Sequence, residues 1–199
     1  MSLFVKNEGG NYSPVPEGTH LARCVQIIDL GHQYSEFYDK WSDKVMIRFE
    51  LPNELIEVDG EQMPRIIGST YTKSLSEKAN LRGMLEGWRG KKFTEEELQG
   101  FNLAVLIGLP CMVTVTHRQS NGKTYADIAG VVAPMKGLEA PEQMTESLIF
   151  DIDDFDALNE IDRLPEFIQN MIRKSREWQT VTAAGEFSEE DMPDGDLPF

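Results

Sequence analysis

The chain has 199 residues, of which 40% are hydrophobic, and it carries a formal net charge of −15. This length suits one domain with extensions, and no apolar run approaches the roughly 20 residues that a transmembrane helix needs. The first residues lack a secretory-signal pattern, and there are only two cysteines, Cys24 and Cys111. These features predict a cytoplasmic protein with two buried thiols and no membrane partner.

The negative charge is concentrated in the last third of the chain. Residues 1–138 hold 15 basic and 17 acidic residues, whereas residues 139–199 hold 4 basic and 17 acidic residues. Such asymmetry is typical of an acidic interaction tail. The overall charge therefore does not exclude an anionic ligand for the body of the chain.

The N-terminal part of the chain predicts an arm, a strand and a loop. Gly, Pro and Asn residues favour an extended arm over residues 1–18. β-branched and apolar residues predict a first strand over 19–30, which Gly31 closes. A polar loop, residues 32–43, follows and carries four aromatic residues.

Strand patterns continue after this loop. Residues 44–51 alternate apolar and polar side chains, which predicts a half-buried second strand. The residues expected to face the core are Val45, Ile47, Phe49 and Leu51. Residues 55–58 and 65–72 flank Asp59-Gly60, and an Asp-Gly pair is a strong hairpin signal.

Two helices and a second hairpin follow. Ser74 and Glu77 form the S-x-x-E pattern of a capping box, as do Thr94 and Glu97. The first of these helices is expected to bury Leu81, Met84, Leu85 and Trp88. Two more strand patterns, residues 111–117 and 124–132, flank the turn sequence SNGK at residues 120–123.

This order predicts a mainly β protein, with a five-stranded OB-fold barrel and a helical insert between strands 3 and 4. A β-sandwich with a helical excursion is the structural alternative. A C-terminal amphipathic helix is predicted from Pro165 in its first turn and from one apolar stripe. The stripe comprises Ile161, Leu164, Ile168, Met171, Ile172 and Ser175. The predicted parts are an arm (1–18), the barrel domain (19–138), an acidic linker (139–164), the helix (165–179) and a disordered acidic tail (180–199).

The sequence contains no convincing set of catalytic residues. We therefore expect a protein that is not an enzyme and that needs no metal or cofactor. The three histidines and two cysteines form no recognisable nucleophile–base set. The run DIDDFD fails as a calcium loop because Asp156 stands where a glycine is needed. A metal-dependent nuclease would have to use the four aspartates of this run, Asp151, Asp153, Asp154 and Asp156.

Binding patterns are stronger. Single-stranded nucleic acids are held by basic side chains along a groove and by aromatic rings on which bases stack. The barrel region supplies both kinds of residue in the loop at 32–43, on the outer strand faces and in the last hairpin. The candidate nucleic-acid-binding residues are Tyr34, Phe37, Tyr38, Trp41, Lys44, Arg48, Arg65, Tyr71, Lys73, His117, Arg118, Lys123 and Tyr125.

Two stretches of the chain resemble known families. The terminus DMPDGDLPF resembles the acidic tip of bacterial single-stranded DNA-binding proteins, with a leucine for the usual isoleucine and an inserted glycine. The matching residues are Asp191, Asp194, Asp196, Leu197, Pro198 and Phe199. In the body, YTKSLSEKANLR, LEGWRG, FTEEEL and KTYADI are similar to phage-encoded single-stranded DNA-binding proteins, over roughly residues 12–138.

This resemblance implies an OB-fold, single-stranded DNA as ligand and action in phage DNA replication, recombination or repair inside the bacterial host. It also implies that the tip recruits replication or repair proteins. A terminal apolar ring with a free carboxylate suits capture by a basic-rimmed pocket. Homo-oligomerisation is left open. The competing hypothesis is a protein–protein adaptor, or a virion-associated β-domain, that binds no DNA.

Overall fold

One six-stranded sheet dominates the computed structural model, which describes residues 13–58, 60–139, 141–154 and 160–180. The strands are β1 (Gly18–Ser35), β2 (Lys40–Val58), β3 (Glu61–Thr72), β4 (Pro110–Ser120), β5 (Lys123–Val132) and β6 (Leu148–Phe150). The α-helices are α1 (Asn80–Arg89) and α2 (Glu166–Ile172), and 3₁₀ turns cover Glu97–Gln99, Leu103–Leu106 and Ile161–Arg163. In these described ranges, no helix is long and apolar enough to cross a membrane.

The strand order is β3-β2-β1-β4-β5, and each of these neighbouring pairs is antiparallel. β6 pairs in parallel with residues Gln26 to Ile28 of β1. The prediction of a mainly β protein is confirmed. The predicted five-stranded OB-fold barrel is not confirmed, because β3 and β5 are not hydrogen-bonded to each other within the described residues and the sheet stays open.

The main core lies between the inner face of this sheet and α1. The predicted inner face of β2 is confirmed, since Val45, Ile47, Phe49 and Leu51 are all buried. The predicted stripe of α1 faces them, and the rings of Phe49 and Trp88 meet edge-on with centroids 5.6 Å apart. Trp88 also donates its indole N–H to the carbonyl of Pro110, at 3.0 Å. Helix α1 is therefore fixed against the start of β4.

The two predicted capping boxes have different outcomes. The first is wrong, because α1 begins at Asn80 after an uncapped Ala79, and the Ser74 hydroxyl instead accepts from the Ser76 N–H. The second is confirmed. The Thr94 N–H donates to the Glu97 carboxylate at 2.9 Å, and the Glu97 N–H donates to the Thr94 hydroxyl at 3.2 Å.

Both hairpin turns match their sequence signals. Ser120 pairs with Lys123 across Asn121 and Gly122, whose φ angles are 51° and 72°, as a type I′ turn requires. At the other hairpin Val58 pairs with Glu61, while Asp59 lies outside the described residues.

A second apolar cluster covers the outer face of β1 and β2. Residues 139–164 were assigned to a linker, yet β6 pairs with β1, and Ile152, Ile161 and Leu164 are buried against the sheet. Ile168 and Ile172 of α2 complete this cover, as the predicted stripe requires. Residues 139–180 are here called the C-terminal segment. Its strand β6 consists of only three consecutive apolar residues, which is too short a pattern to predict a strand.

The predicted arm is only partly described, from Ser13 onward. Arg65 donates to the Ser13 hydroxyl at 2.8 Å, and His117 Nε2 lies 2.8 Å from the Val15 carbonyl oxygen. Val15 is itself buried in the main core. The described end of the arm is thus fastened to β3 and β4.

Candidate functional site

The aromatic loop predicted between the first two strands is instead a continuous β-hairpin. β1 runs through Gly31 to Ser35, β2 starts at Lys40, and Tyr34 pairs with Trp41. Gly31 has φ 68°, and a Cβ there would lie 2.5 Å from Glu177 Oε2, so this bulge requires glycine. We call residues 32–43 the aromatic hairpin.

The aromatic side chains of this hairpin are solvent-accessible. Phe37 is 87% exposed and Tyr38 69%, while Tyr34 and Trp41 are 46% and 41% exposed. Phe37 and Tyr38 meet edge-on at 4.8 Å, and Trp41 lies against Tyr34 at 5.4 Å. The hydrogen bond from the Tyr34 hydroxyl to Asp39 raises the pKa of that phenol. Four rings outside any core are available to stack on a planar ligand.

A basic depression begins beside the hairpin and follows β3 to the start of α1. Its volume is about 450 Å³. Its lining includes Tyr38 and three lysines, Lys40, Lys44 and Lys78, and none of the described residues that line it is an aspartate or glutamate. None of these lysines forms an ion pair with another described residue. We call this depression the lysine trough.

A second cavity, of about 740 Å³, lies where the edges of β3 and β5 face each other. We call it the β3–β5 cavity. Arg48, Lys123 and Tyr125 line it, and so does Phe167 of α2. The Arg48 guanidinium is 5.9 Å from the Phe167 ring centroid and also donates to Gln26.

Gly68 leaves room for the side chain of Arg48 to cross β3. Arg48 and Gly68 are paired across the two strands. A Cβ on Gly68 would come within 2.7 Å of Arg48 Cγ, closer than two carbon atoms can pack. The missing side chain lets the stem of Arg48 lie over β3.

Other predicted site residues serve the fold. Tyr71, predicted to be exposed, is buried in the main core, and this burial raises its pKa. Lys73 forms a 2.6 Å ion pair with Asp29. Burial opposes the charge of Lys73, but the hydrogen bond and the charge of Asp29, with Asp43 and Asp151, outweigh it and raise the lysine pKa. Arg65 and His117 hold the arm.

Arg118 belongs to the rim of the β4–β5 hairpin. It forms a 2.7 Å ion pair with Asp127, which raises its pKa, and its guanidinium lies 5.2 Å from the Tyr125 ring. The structure thus brings Tyr34, Phe37, Tyr38, Trp41 and Lys44 to the end of β3 at Thr72, and it brings Arg48, Lys123 and Tyr125 beside the middle of β3, at Gly68.

The sequence analysis did not predict three of the residues that line these two depressions. They are Lys40 and Lys78 of the lysine trough and Phe167 of the β3–β5 cavity. Lys40 and Lys78 are separated in sequence by 37 residues and meet only in the fold. Phe167 had a usable signal, because it is a large apolar residue that lies off the buried stripe of its own helix.

One set of potential metal ligands unites the hairpin with the C-terminal segment. Ligand atoms of His32, Asp43 and Glu177 lie within 4.8 Å of one another. His32 Nδ1 is 2.5 Å from the Asp43 carboxylate, and the backbone N–H of His32 donates to the Glu177 carboxylate at 2.8 Å. These groups satisfy one another as a hydrogen-bonded clasp.

The remaining candidate residues fall in two places. Asp151 and Asp153 form a local turn in which the Asp153 N–H donates to the Asp151 carboxylate, at 3.1 Å, and Asp156 lies outside the described residues. The predicted partner-binding residues of the tip, Asp191, Asp194, Asp196, Leu197, Pro198 and Phe199, also lie outside them. No protein-family model matches this chain, and the comparison with curated proteins finds no match.

Proposed function

We propose that this protein binds single-stranded DNA without sequence preference and acts in phage DNA replication, recombination or repair. The lysine trough is the observation that carries the proposal. Three lysines line it that form no ion pair with another described residue, and none of its described lining residues is a carboxylate, in a protein of net charge −15. A cation-lined groove in an acidic protein favours a polyanionic ligand.

The aromatic hairpin supports a single strand over a duplex. Bases of a single strand can turn outward and stack on exposed rings, each stack contributing about 1–3 kcal/mol, whereas bases inside a duplex cannot. Tyr38 lines the lysine trough, and the exposed Phe37 ring packs edge-on against Tyr38. A strand can therefore place bases on the rings and phosphates on the lysines.

The strand order supports an OB-fold as the scaffold. An OB-fold is a five-stranded, partly open barrel that binds oligonucleotides on strands 2 and 3 and on the loops joining strands 1–2 and 4–5. In this chain the trough follows β3, the aromatic hairpin joins β1 to β2, and Lys123 and Tyr125 follow the β4–β5 turn.

We propose in addition that the acidic tip, residues 191–199, recruits replication or repair proteins. The support is its sequence, in which acidic residues precede Leu197, Pro198 and Phe199. Deleting residues 190–199 should abolish capture of those proteins and leave DNA binding intact. Loss of DNA binding on this deletion would contradict the division of roles.

The decisive experiment is fluorescence anisotropy of a labelled oligo-dT with purified protein over a series of salt concentrations. Binding should weaken steeply as salt rises, because counterions are released from the strand. Unlabelled single strands should compete and a duplex of equal length should not. No binding at about 50 mM salt would refute the proposal and favour the adaptor hypothesis.

Matched variants locate the site. Phe37→Ala with Tyr38→Ala should weaken binding by at least about tenfold, given the stacking energies above. Lys44→Gln should lower the salt dependence, while Lys136→Gln, an exposed lysine outside the trough, should change neither quantity. Equal effects of the two lysine variants would show that the lysine trough is not part of the DNA-binding site.

A further inference from the structure

We infer that Phe167 of α2 forms the stacking wall of a nucleobase site in the β3–β5 cavity. The C-terminal segment is then part of the DNA-binding surface. This inference rests on the proposed function and names a second contact point, beside the middle of β3 at Gly68.

The side chain of Phe167 is not used to hold its helix. Phe167 is 56% exposed, whereas its neighbour Ile168 and Ile172, one turn further along the stripe, are completely buried. These two isoleucines pack α2 onto the sheet. A large ring left in solvent at the edge of a cavity is a feature of binding surfaces.

The charge of the cavity fits one segment of a nucleic acid strand. Arg48 and Lys123 line it, and in the part of the chain that the structure describes no aspartate or glutamate does. Arg48 is held in place by its bond to Gln26 and lies beside the Phe167 ring. A ring next to a guanidinium provides a face for the base and a cation for its phosphate.

The size and floor of the cavity suit a base. Its volume of about 740 Å³ is within the range of small-ligand pockets. Val15, Ile67 and Ala126 contribute apolar side chains to its lining, and Tyr125 of β5, 41% exposed, lines it as well as Phe167. A base that enters the cavity therefore finds aromatic side chains from two different elements.

The cavity and the lysine trough lie on one path. Thr70 lines the trough and Gly68 lines the cavity. Residues two apart on a strand point to the same face, and both are exposed. A strand that leaves the trough along β3 therefore reaches the cavity without crossing another element.

Photocrosslinking of the full chain tests this inference. The probe is an oligo-dT in which one thymine is replaced by 5-iodouracil, with the position varied from one end to the other. Trypsin separates the relevant aromatic residues, since Phe167 lies in the peptide 164–173, the hairpin rings in 24–40 and 41–44, and Tyr125 in 124–136. We expect crosslinks in peptide 164–173 at probe positions that differ from those labelling the hairpin.

Affinity measurements complete the test. Phe167→Ala and Phe167→Leu should each weaken oligo-dT binding by at least about fivefold without changing the melting temperature. Met144→Ala is the matched control, because Met144 is 55% exposed in the same segment and does not line the cavity. It should bind like the unmodified protein.

The outcomes separate this inference from the proposed function. Crosslinks confined to the hairpin peptides, with normal binding by Phe167→Ala, would overturn the inference and leave the proposed function standing. No binding by the unmodified protein would overturn both. Labelling of peptide 164–173 by 5-iodo-deoxyuridine monophosphate but not by the oligonucleotide would assign the cavity to free nucleotides and overturn its place on the strand's path.

Discussion

The buried carboxylate of Glu50 accepts a 2.5 Å hydrogen bond from the backbone N–H of Thr145. It accepts a second, at 3.0 Å, from the N–H of Met144. One side chain of β2 thus holds the start of the C-terminal segment, where the chain turns onto the outer face of the sheet.

Glu50→Ala should therefore destabilise the fold by about 2 kcal/mol, the usual contribution of hydrogen bonds to a charged group. The measurement is chemical unfolding followed by circular dichroism. Glu57→Gln, an exposed glutamate of the same strand, is the control and should change the free energy of unfolding little. Similar losses in both variants would show that the two N–H bonds contribute nothing specific.

Gly68→Ala should weaken DNA binding more than it weakens the fold. The new methyl group would meet Cγ of the half-buried Arg48 side chain, and a change of the Arg48 rotamer relieves this contact without moving the backbone. Its guanidinium would then leave the β3–β5 cavity. Anisotropy with oligo-dT and thermal unfolding measure the two effects. Gly90→Ala, at the C-cap of α1 and outside both the trough and the cavity, should weaken the fold more than DNA binding because Gly90 has φ 64°.

Glu97 should stabilise the protein in a pH-dependent way. Its hydrogen bond from the Thr94 N–H, followed by that from Arg89, lowers its pKa in the folded state. The stabilisation is therefore fully present above the ordinary glutamate pKa of about 4.3. It is lost as the pH falls through the lowered folded-state value.

The test compares melting temperatures of Glu97→Gln and the unmodified protein at about pH 7 and about pH 3. The difference should be clear at the higher pH and nearly absent at the lower one. Glu96→Gln, the exposed neighbour, supplies the control. A difference that persists unchanged in acid would mean that the charge of Glu97 is not involved.

The two cysteines should be unreactive in the folded protein. Both are completely buried. Burial raises the pKa of Cys24 to about 12 and raises that of Cys111 as well, with a further contribution from Cys24. Because the thiolate is the reactive form, N-ethylmaleimide should label neither thiol at about pH 8 until the chain is denatured.

Mass spectrometry after short exposure measures this protection. Lys136→Cys places a thiol at an exposed position and should be labelled at once. Rapid labelling of Cys24 or Cys111 under the same conditions would contradict the packing around β1 and β4.

Local patterns predicted local structure well. The alternation around Ile47, the spacing of Leu81, Leu85 and Trp88, and the Asn121-Gly122 turn each depend on neighbours within a few residues, and each was confirmed. The Ser74 capping box failed because the same hydroxyl can serve a turn, and Ser76 is closer than the helix.

Long-range packing was not predictable in the same way. Residues 148–150 lie in the predicted acidic linker. Their neighbours in the sequence give no sign that they pair with the edge of β1, which is far away in the chain. Tyr71 and Tyr38 were both predicted to bind nucleic acid. Tyr71 is buried in the core, whereas Tyr38 is exposed to solvent. Which side of a strand or hairpin is covered depends on segments far away in the chain.

The pairing of β6 with β1 has a consequence for how separate molecules meet. β4 covers β1 only from Gly18 to Arg23, and β6 covers it from Gln26 to Ile28. Without β6 this stretch would present unpaired backbone groups, which invite edge-to-edge association with another chain. A three-residue strand is itself a poor template for such pairing, so the C-terminal segment also guards this protein against aggregation.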